Sequence, residues 1–310
     1  MTICFTFPGQ GSQKVGMGRE LADAYPEARA VFEEADDALG QKLTQIMWEG
    51  PEETLMLTEN TQPALVTMSM AVIRAMAAEG MPVADTAAYV AGHSVGEYAA
   101  LAAAEAFSLA DVVRLVRVRG QAMQQAVPVG EGGMAAILGL DYEAVAEIAA
   151  EAAEDQVCQA ANDNSGGQVV VSGNKAAIER AAKLASERGA QRAIVLQVSA
   201  PFHCDLMAPA AEVMAAALDE VTINKPVVPV IANVLAAPVS DPAEIKKRLV
   251  EQVTGTVRWR ESVMWMAANG VDTLYEVGAG KVLSGLVRRI DRSLVAKSVG
   301  APEDIAALKA

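Results

Sequence analysis

The chain has 310 residues, and its 39 acidic and 25 basic side chains leave a net charge of −14. That balance argues against a general nucleic-acid or anionic-membrane binder, since phosphate recognition needs a clustered cationic surface. Hydrophobic residues make up 52% of the chain, but the longest uncharged stretch, 226–240, has only 15 residues and three prolines, too short and too broken to span a bilayer. In chain order, residues 3–7 read as a short buried strand ending at Pro8-Gly9-Gln10-Gly11-Ser12-Gln13, where two glycines permit unusual backbone angles. A helix is predicted over 26–39, with Pro26 in its first turn and Gly40 past its end, and another over 62–79, between Pro63 and Gly80. A strand over 86–91 and an alanine-rich helix over 97–106 follow, and then a helix capped by Ser108 that runs to about Ala126 and stops before Pro128.

The composition shifts at Gly130-Glu131-Gly132-Gly133. Strand, helix, strand, strand, helix and strand are then predicted over 134–138, 142–153, 157–161, 168–172, 175–188 and 193–198. That split βαβ order predicts a ferredoxin-like (βαββαβ) subdomain, 131–199, inserted into an α/β domain formed by 1–130 and 200–310. Helices and strands alternate again over 227–232, 243–252, 260–269, 273–277 and 281–290. Val277-Gly278-Ala279-Gly280-Lys281 lacks P-loop spacing and reads as a tight strand-to-helix turn. Met264, Trp265 and Met266 read as core residues.

No basic segment precedes a long apolar run at the N-terminus, so no signal peptide is expected. Cys4, Cys158 and Cys204 have neither metal nor redox spacing, which fits a reduced cytoplasmic setting without a structural metal. With two histidines in the chain, any histidine chemistry must use His93 or His203.

Gly92-His93-Ser94-Val95-Gly96 is a G-x-S-x-G pattern between a predicted strand and a predicted helix. A sharp turn there would lift the Ser94 hydroxyl clear of the sheet, with helix N–H groups, including that of Val95, near a developing oxyanion. Ser94 and Glu97 also fit the S-x-x-E capping box, so a purely capping serine stays open. A nucleophilic serine needs a base. His93 is adjacent and should diverge from Ser94, whereas His203 lies 109 residues later, where the chain returns from the inserted subdomain. No acid follows the Ser, Asp, His order of α/β-hydrolases, and a backbone carbonyl could orient the histidine instead.

Pro8 to Gln13, Gly92 to Glu97, Val118-Arg119-Gly120, Phe202-His203 and Val277 to Lys281 occur together in the order and spacing of one family. The whole chain resembles the malonyl-CoA:acyl carrier protein transacylases of bacterial type II fatty acid synthesis. The resemblance implies an α/β-hydrolase-like large domain with a central, mostly parallel sheet. It implies Ser94 as nucleophile, His203 as general acid/base, and the backbone N–H groups of Gln10 and Val95 as oxyanion hole. It further implies that Arg119 holds the malonyl carboxylate, that the Gln252 main-chain carbonyl orients the histidine, and that Met123 and Asn162 line the acyl site. Phe202, like Val95, matches malonyl-selective rather than methylmalonyl-selective members. Malonyl-CoA and acyl carrier protein would be the partners, with no metal, cofactor, nucleic acid or membrane. A polyketide-synthase acyltransferase and a serine esterase using the same nucleophile are the rival readings.

Overall fold

The computed structural model describes residues 1–196 and 198–309. Its strands are β1 (Ile3–Phe7), β2 (Tyr89–Gly92), β3 (Gly132–Leu138), β4 (Cys158–Ser165), β5 (Gln168–Asn174), β6 (Arg192–Val195), β7 (Val230–Ala232), β8 (Ala237–Val239), β9 (Thr273–Val277) and β10 (Val295–Val299). They form two sheets: a six-stranded one in the order β10-β9-β1-β2-β7-β8, and a four-stranded one in the order β4-β5-β3-β6. The first is parallel except for the β7–β8 pair, and every pairing in the second is antiparallel. The architecture is therefore α/β, with a mostly parallel central sheet interrupted by a βαββαβ subdomain.

The central strands read as apolar runs because helices cover both faces. Cys4, Phe5, Thr6 and Phe7 are all buried, as are the residues of β9. The helix Thr58–Ala78 packs in the middle of the main core and buries 17 of its 21 residues, so it carries little amphipathic pattern. In the smaller sheet the period of two is plain. Ala135, Ile137, Val169 and Val171 face the helices Tyr142–Ala153 and Lys175–Glu187, whereas Met134 and Val170 face the opposite way, toward Phe202.

Several elements differ from their expected limits. The helix expected over 62–79 starts a turn earlier, at Thr58, which places Pro63 inside it. The strand expected over 86–91 is shortened to Tyr89–Gly92 by a helical turn, Val83–Thr86. The helix expected over 97–106 runs Val95–Ala103, and Glu105 reverses the chain at φ 64°. The strand expected over 193–198 ends at Val195, and Gln197 lies outside the described residues. The strand expected over 157–161 instead continues to Ser165 through two register shifts, between Ala160 and Asn162 and between Asp163 and Ser165. Irregular pairing of this kind re-aims side chains beside functional sites. The helix Ala208–Asp219 and the strands β8 and β10 were not expected. Met266 is in the core, but Met264 is 51% exposed, and Trp265 packs partly buried against Tyr89.

The smaller sheet is strapped to the larger unit through β4. Val257 donates its N–H to Ala161 O at 2.9 Å and accepts from Asp163 N at 3.0 Å. Arg260, in the helix Trp259–Ala268, pairs with the buried Asp163 carboxylate at 2.9 Å. The strap places the edge strand of one sheet beside the carboxyl ends of β1 and β2 in the other.

Candidate active site

Ser94 sits where β2 meets the helix Val95–Ala103. Its backbone, at φ 52° and ψ −112°, is a conformation that a non-glycine residue adopts only when its surroundings enforce it. Two hydrogen bonds do so. Ser94 N donates to Asn233 Oδ1 at 2.8 Å, and Ser94 O accepts from Gln252 Nε2 at 3.0 Å. Asn233 is itself fixed by donating Nδ2 to Gly92 O at 2.6 Å. The capping reading fails, because the Ser94 side chain caps nothing.

The hydroxyl of Ser94 lies 2.7 Å from His203 Nε2. His203 Nδ1 lies 2.8 Å from the main-chain carbonyl of Gln252. A carbonyl can only accept, so Nδ1 carries the proton and Nε2 is left as the acceptor for the serine O–H. His203 is 3% exposed, and its backbone is left-handed at φ 59°. Burial and then the nearby Arg119 guanidinium push its pKa down to about 3. The imidazole is thus neutral and oriented, as a general base must be. His93 points elsewhere, with Nε2 2.8 Å from Asn164 Oδ1 and its ring beside Trp259.

Arg119, from the helix Leu109–Gln125, is 1% exposed. Its guanidinium donates to Gln62 Oε1 at 2.8 Å, to Gln252 Oε1 at 2.8 Å and to Ser94 Oγ at 3.2 Å, and it lies over the Tyr98 ring. All three acceptors are neutral oxygens, and Arg119 Nε has no partner. A buried guanidinium in that state is a ready receptor for an anionic group.

A cavity of about 210 Å³ opens over these groups. Of the residues singled out from sequence, Gln10, Ser94, Val95, Arg119, Met123, Asn162, Phe202 and His203 all line it, while Gln252 stands behind them. Met134, Val170, Leu196 and Val198 supply its apolar wall, so both the large unit and the smaller sheet contribute. Gln62, Asn164, Asn233 and Glu97 were missed from sequence. Asn233 had left a signal, being the only polar side chain in the stretch 226–239. Gln62 was signalled as part of a polar run, 60–62, that opens an apolar helix. The Gly278 and Gly280 turn is structural: both have positive φ, and the following helix gives the N–H groups of Leu283 and Ser284 to the Glu276 carboxylate. Among the described residues no cluster of His, Cys, Asp or Glu could hold a metal ion, and no helix is long and apolar enough to cross a membrane.

Residues 4–304 match the acyl transferase domain family. The chain is 48% identical over 304 residues to the malonyl CoA-acyl carrier protein transacylase of Bacillus subtilis, covering 98% of this chain and 95% of the relative. It is also 48% identical over 305 residues to the enzyme of that name from Escherichia coli K12, with 98% of each covered. The crystal structure of an acyl-carrier-protein-S-malonyltransferase from Bartonella henselae superposes with a TM-score of 0.98 at 56% identity, over 99% of this chain and 98% of the other. A structure of a type II PKS acyl-carrier protein in complex with its malonyl-transacylase matches with a TM-score of 0.96 at 41% identity, over 99% of this chain and 98% of that one. The serine, histidine and arginine thus meet in a fold and a sequence shared along nearly the whole chain, and the chain belongs to the acyl transferase domain family, among its malonyl CoA-acyl carrier protein transacylases.

Proposed function

We propose that this protein moves a malonyl group from malonyl-CoA to the phosphopantetheine thiol of acyl carrier protein, for fatty acid chain elongation, through a malonyl-Ser94 ester. The observation that carries the reading is the position of Arg119. A buried guanidinium with neutral partners stands 3.2 Å from the serine hydroxyl that His203 is placed to deprotonate. An esterase acting on neutral acyl groups has no use for a buried cation there. Malonyl carries a carboxylate remote from its thioester carbon, and Arg119 suits it.

His203 Nε2 takes the Ser94 proton as Oγ attacks the thioester carbon. The oxyanion is received by the backbone N–H groups of Gln10 and Val95, a placement supported by both residues lining the cavity beside Ser94. One such donor is commonly worth about 10²–10³ in rate. Collapse expels the CoA thiolate, which takes the proton from His203, and malonyl-Ser94 remains. The carrier's thiol then gives its proton to His203, attacks the ester carbon, and Ser94 recovers the proton as it leaves. Gln252 O holds the imidazole in one tautomer throughout, and Met123, Asn162 and Phe202 shape the acyl space, with Phe202 filling room that an α-methyl would need. We also assign the inserted subdomain to 131–199, between 1–130 and 200–310, and place the protein in the cytoplasm, a setting supported by three buried free thiols.

Intact-protein mass spectrometry after mixing with malonyl-CoA tests the reading. The wild type should gain one malonyl group and lose it on addition of carrier protein. Ser94→Ala should gain none, and an adduct on that variant contradicts the assignment.

A further inference from the structure

Glu97 has no part in the transfer just described, yet it lies under the nucleophile, 2% exposed, in the first turn of the helix Val95–Ala103. Carboxylates are seldom this buried without a partner. It does not serve the capping box that its spacing from Ser94 allows. Instead Oε2 accepts from Gln252 Nε2 at 2.7 Å and from Asn233 N at 3.1 Å, residues 155 and 136 positions away.

We infer that Glu97 is a positioning residue for acyl transfer: its carboxylate fixes the Gln252 amide with the oxygen toward Arg119, and so balances that guanidinium through an amide while leaving it free of a competing carboxylate where the substrate's must bind. The inference rests on the reading that Arg119 receives a malonyl carboxylate.

The geometry leaves the amide one orientation. Gln252 Nε2 faces Glu97 Oε2, Ser94 O at 3.0 Å and Asn233 Oδ1 at 3.3 Å, while Oε1 accepts from Arg119 at 2.8 Å. A flipped amide would set its oxygen against three oxygens and its NH₂ against a guanidinium. Burial pushes the Glu97 pKa up to about 7, against the pull of the Gln252 and Asn233 hydrogen bonds and of Arg119. Above that pH the carboxylate is ionised and only accepts, so it enforces this arrangement. A glutamine at 97 could present either end and would release it.

An acid in direct contact with Arg119 would occupy the fork that the substrate must enter. Placing the negative charge one amide away relieves the burial of the guanidinium without blocking it. The same Gln252 holds His203 through its main-chain carbonyl. One buried carboxylate therefore bears on both the base and the anion receptor.

The test is the ratio of single-turnover loading of Ser94 by malonyl-CoA to loading by acetyl-CoA, followed by mass spectrometry. A wild type that takes no malonyl group would overturn the functional reading itself. Given a loaded wild type, Glu97→Gln should lower the malonyl-to-acetyl ratio at least about tenfold, the scale of a lost charge-assisted hydrogen bond. Gln252→Met, which keeps the main-chain carbonyl, should lower it similarly. Combining the two should lower it no further, because the link is already cut. A merely structural carboxylate would slow both loadings alike and leave the ratio in place. A folded Glu97→Gln with a ratio within about twofold of wild type overturns the inference, as do losses that multiply in the double variant. If Glu97→Gln does not fold, Gln252→Met decides alone, and an unchanged ratio there overturns it.

Discussion

Ser94 and His203 both react from backbone with positive φ, 52° and 59°. Such a conformation costs about 1–3 kcal/mol per non-glycine residue and persists only where neighbours over-determine it. Asn233 and Gln252 are those neighbours at Ser94. His203 carries a second cost, because burial keeps its imidazole neutral with a pKa near 3. The sign of the resulting pH dependence follows directly. Below its ordinary value of 6.5 the unfolded histidine takes up a proton that the folded one refuses. The unfolded state then binds more protons, so the folded state loses stability as pH falls from 6.5 toward 3. Between pH 7.5 and 5.0 the loss amounts to about 2 kcal/mol, at about 1.4 kcal/mol per pH unit below 6.5. His203→Asn removes it. Urea unfolding of both proteins at the two pH values should therefore show the wild type losing about 2 kcal/mol relative to the variant at pH 5.0. Equal pH dependence would mean that His203 is not held neutral.

The turn from β2 into the helix Val95–Ala103 depends on two glycines. A Cβ on Gly92 would lie 2.0 Å from the backbone of Gly96, and one on Gly96 would lie 2.1 Å from Phe7 O. The helix start is thus seated directly on the end of β1, which brings Gln10 and Val95 to one cavity wall. Gly96→Ala cannot be accommodated by rotating a side chain, since both clashing groups are main chain. It should cost about 3 kcal/mol or more and lower the thermal midpoint by at least about 5 °C. Gly285→Ala makes the matched control, because nothing lies within 4 Å of that Cβ and the site is helical. It should be neutral or stabilising, by up to about 1 kcal/mol. Similar losses in the two variants would remove the close approach as the reason for Gly96. This element was legible in sequence because its requirement is local: strand, glycine, serine and glycine are adjacent. Ser94 was reachable by its motif and His203 by the scarcity of histidine, whereas Arg119, one of several arginines on its helix, was reached only through the family resemblance. Asn233 and Gln62 stood out only as polar residues in apolar surroundings, and their roles were hidden because their partners lie 139 and 57 positions away. The helix Ala208–Asp219 was hidden by its alanine-rich sequence, which has little apolar–polar contrast from face to face, and β8 by its length of three residues.

At the scale of the molecule, the net charge of −14 sets a docking problem, since an acidic carrier protein must approach an acidic enzyme. Long-range attraction is unfavourable, so the approach depends on a local cationic patch. The sequence offers two candidates, Lys246-Lys247-Arg248 and Lys281 with Arg288 and Arg289, and the structure distinguishes them. Lys246 pairs with Asp219, and Arg248 pairs with Glu244 and Glu251, so two of that cluster's three cations are already balanced by neighbouring carboxylates. Arg288 and Arg289 instead donate to Ala296 O at 3.2 Å and to Gln168 Oε1 at 2.9 Å, both neutral. Arg289 thereby reaches from the large unit to β5, the strand whose Val170 lines the catalytic cavity. A carrier bound there would sit across both units, which the β4 strap holds together. Reversing both charges, Arg288→Glu with Arg289→Glu, should raise the KM for carrier protein about three- to tenfold at low salt, with the difference shrinking as salt is added. Loading of Ser94 from malonyl-CoA should be unaffected by the pair, because neither arginine lines the cavity. Reversal of Lys246 and Arg248 should leave the carrier KM within about twofold, since exposed ion pairs contribute little. A larger effect from Lys246 and Arg248 than from Arg288 and Arg289 would move the docking surface to the other cluster.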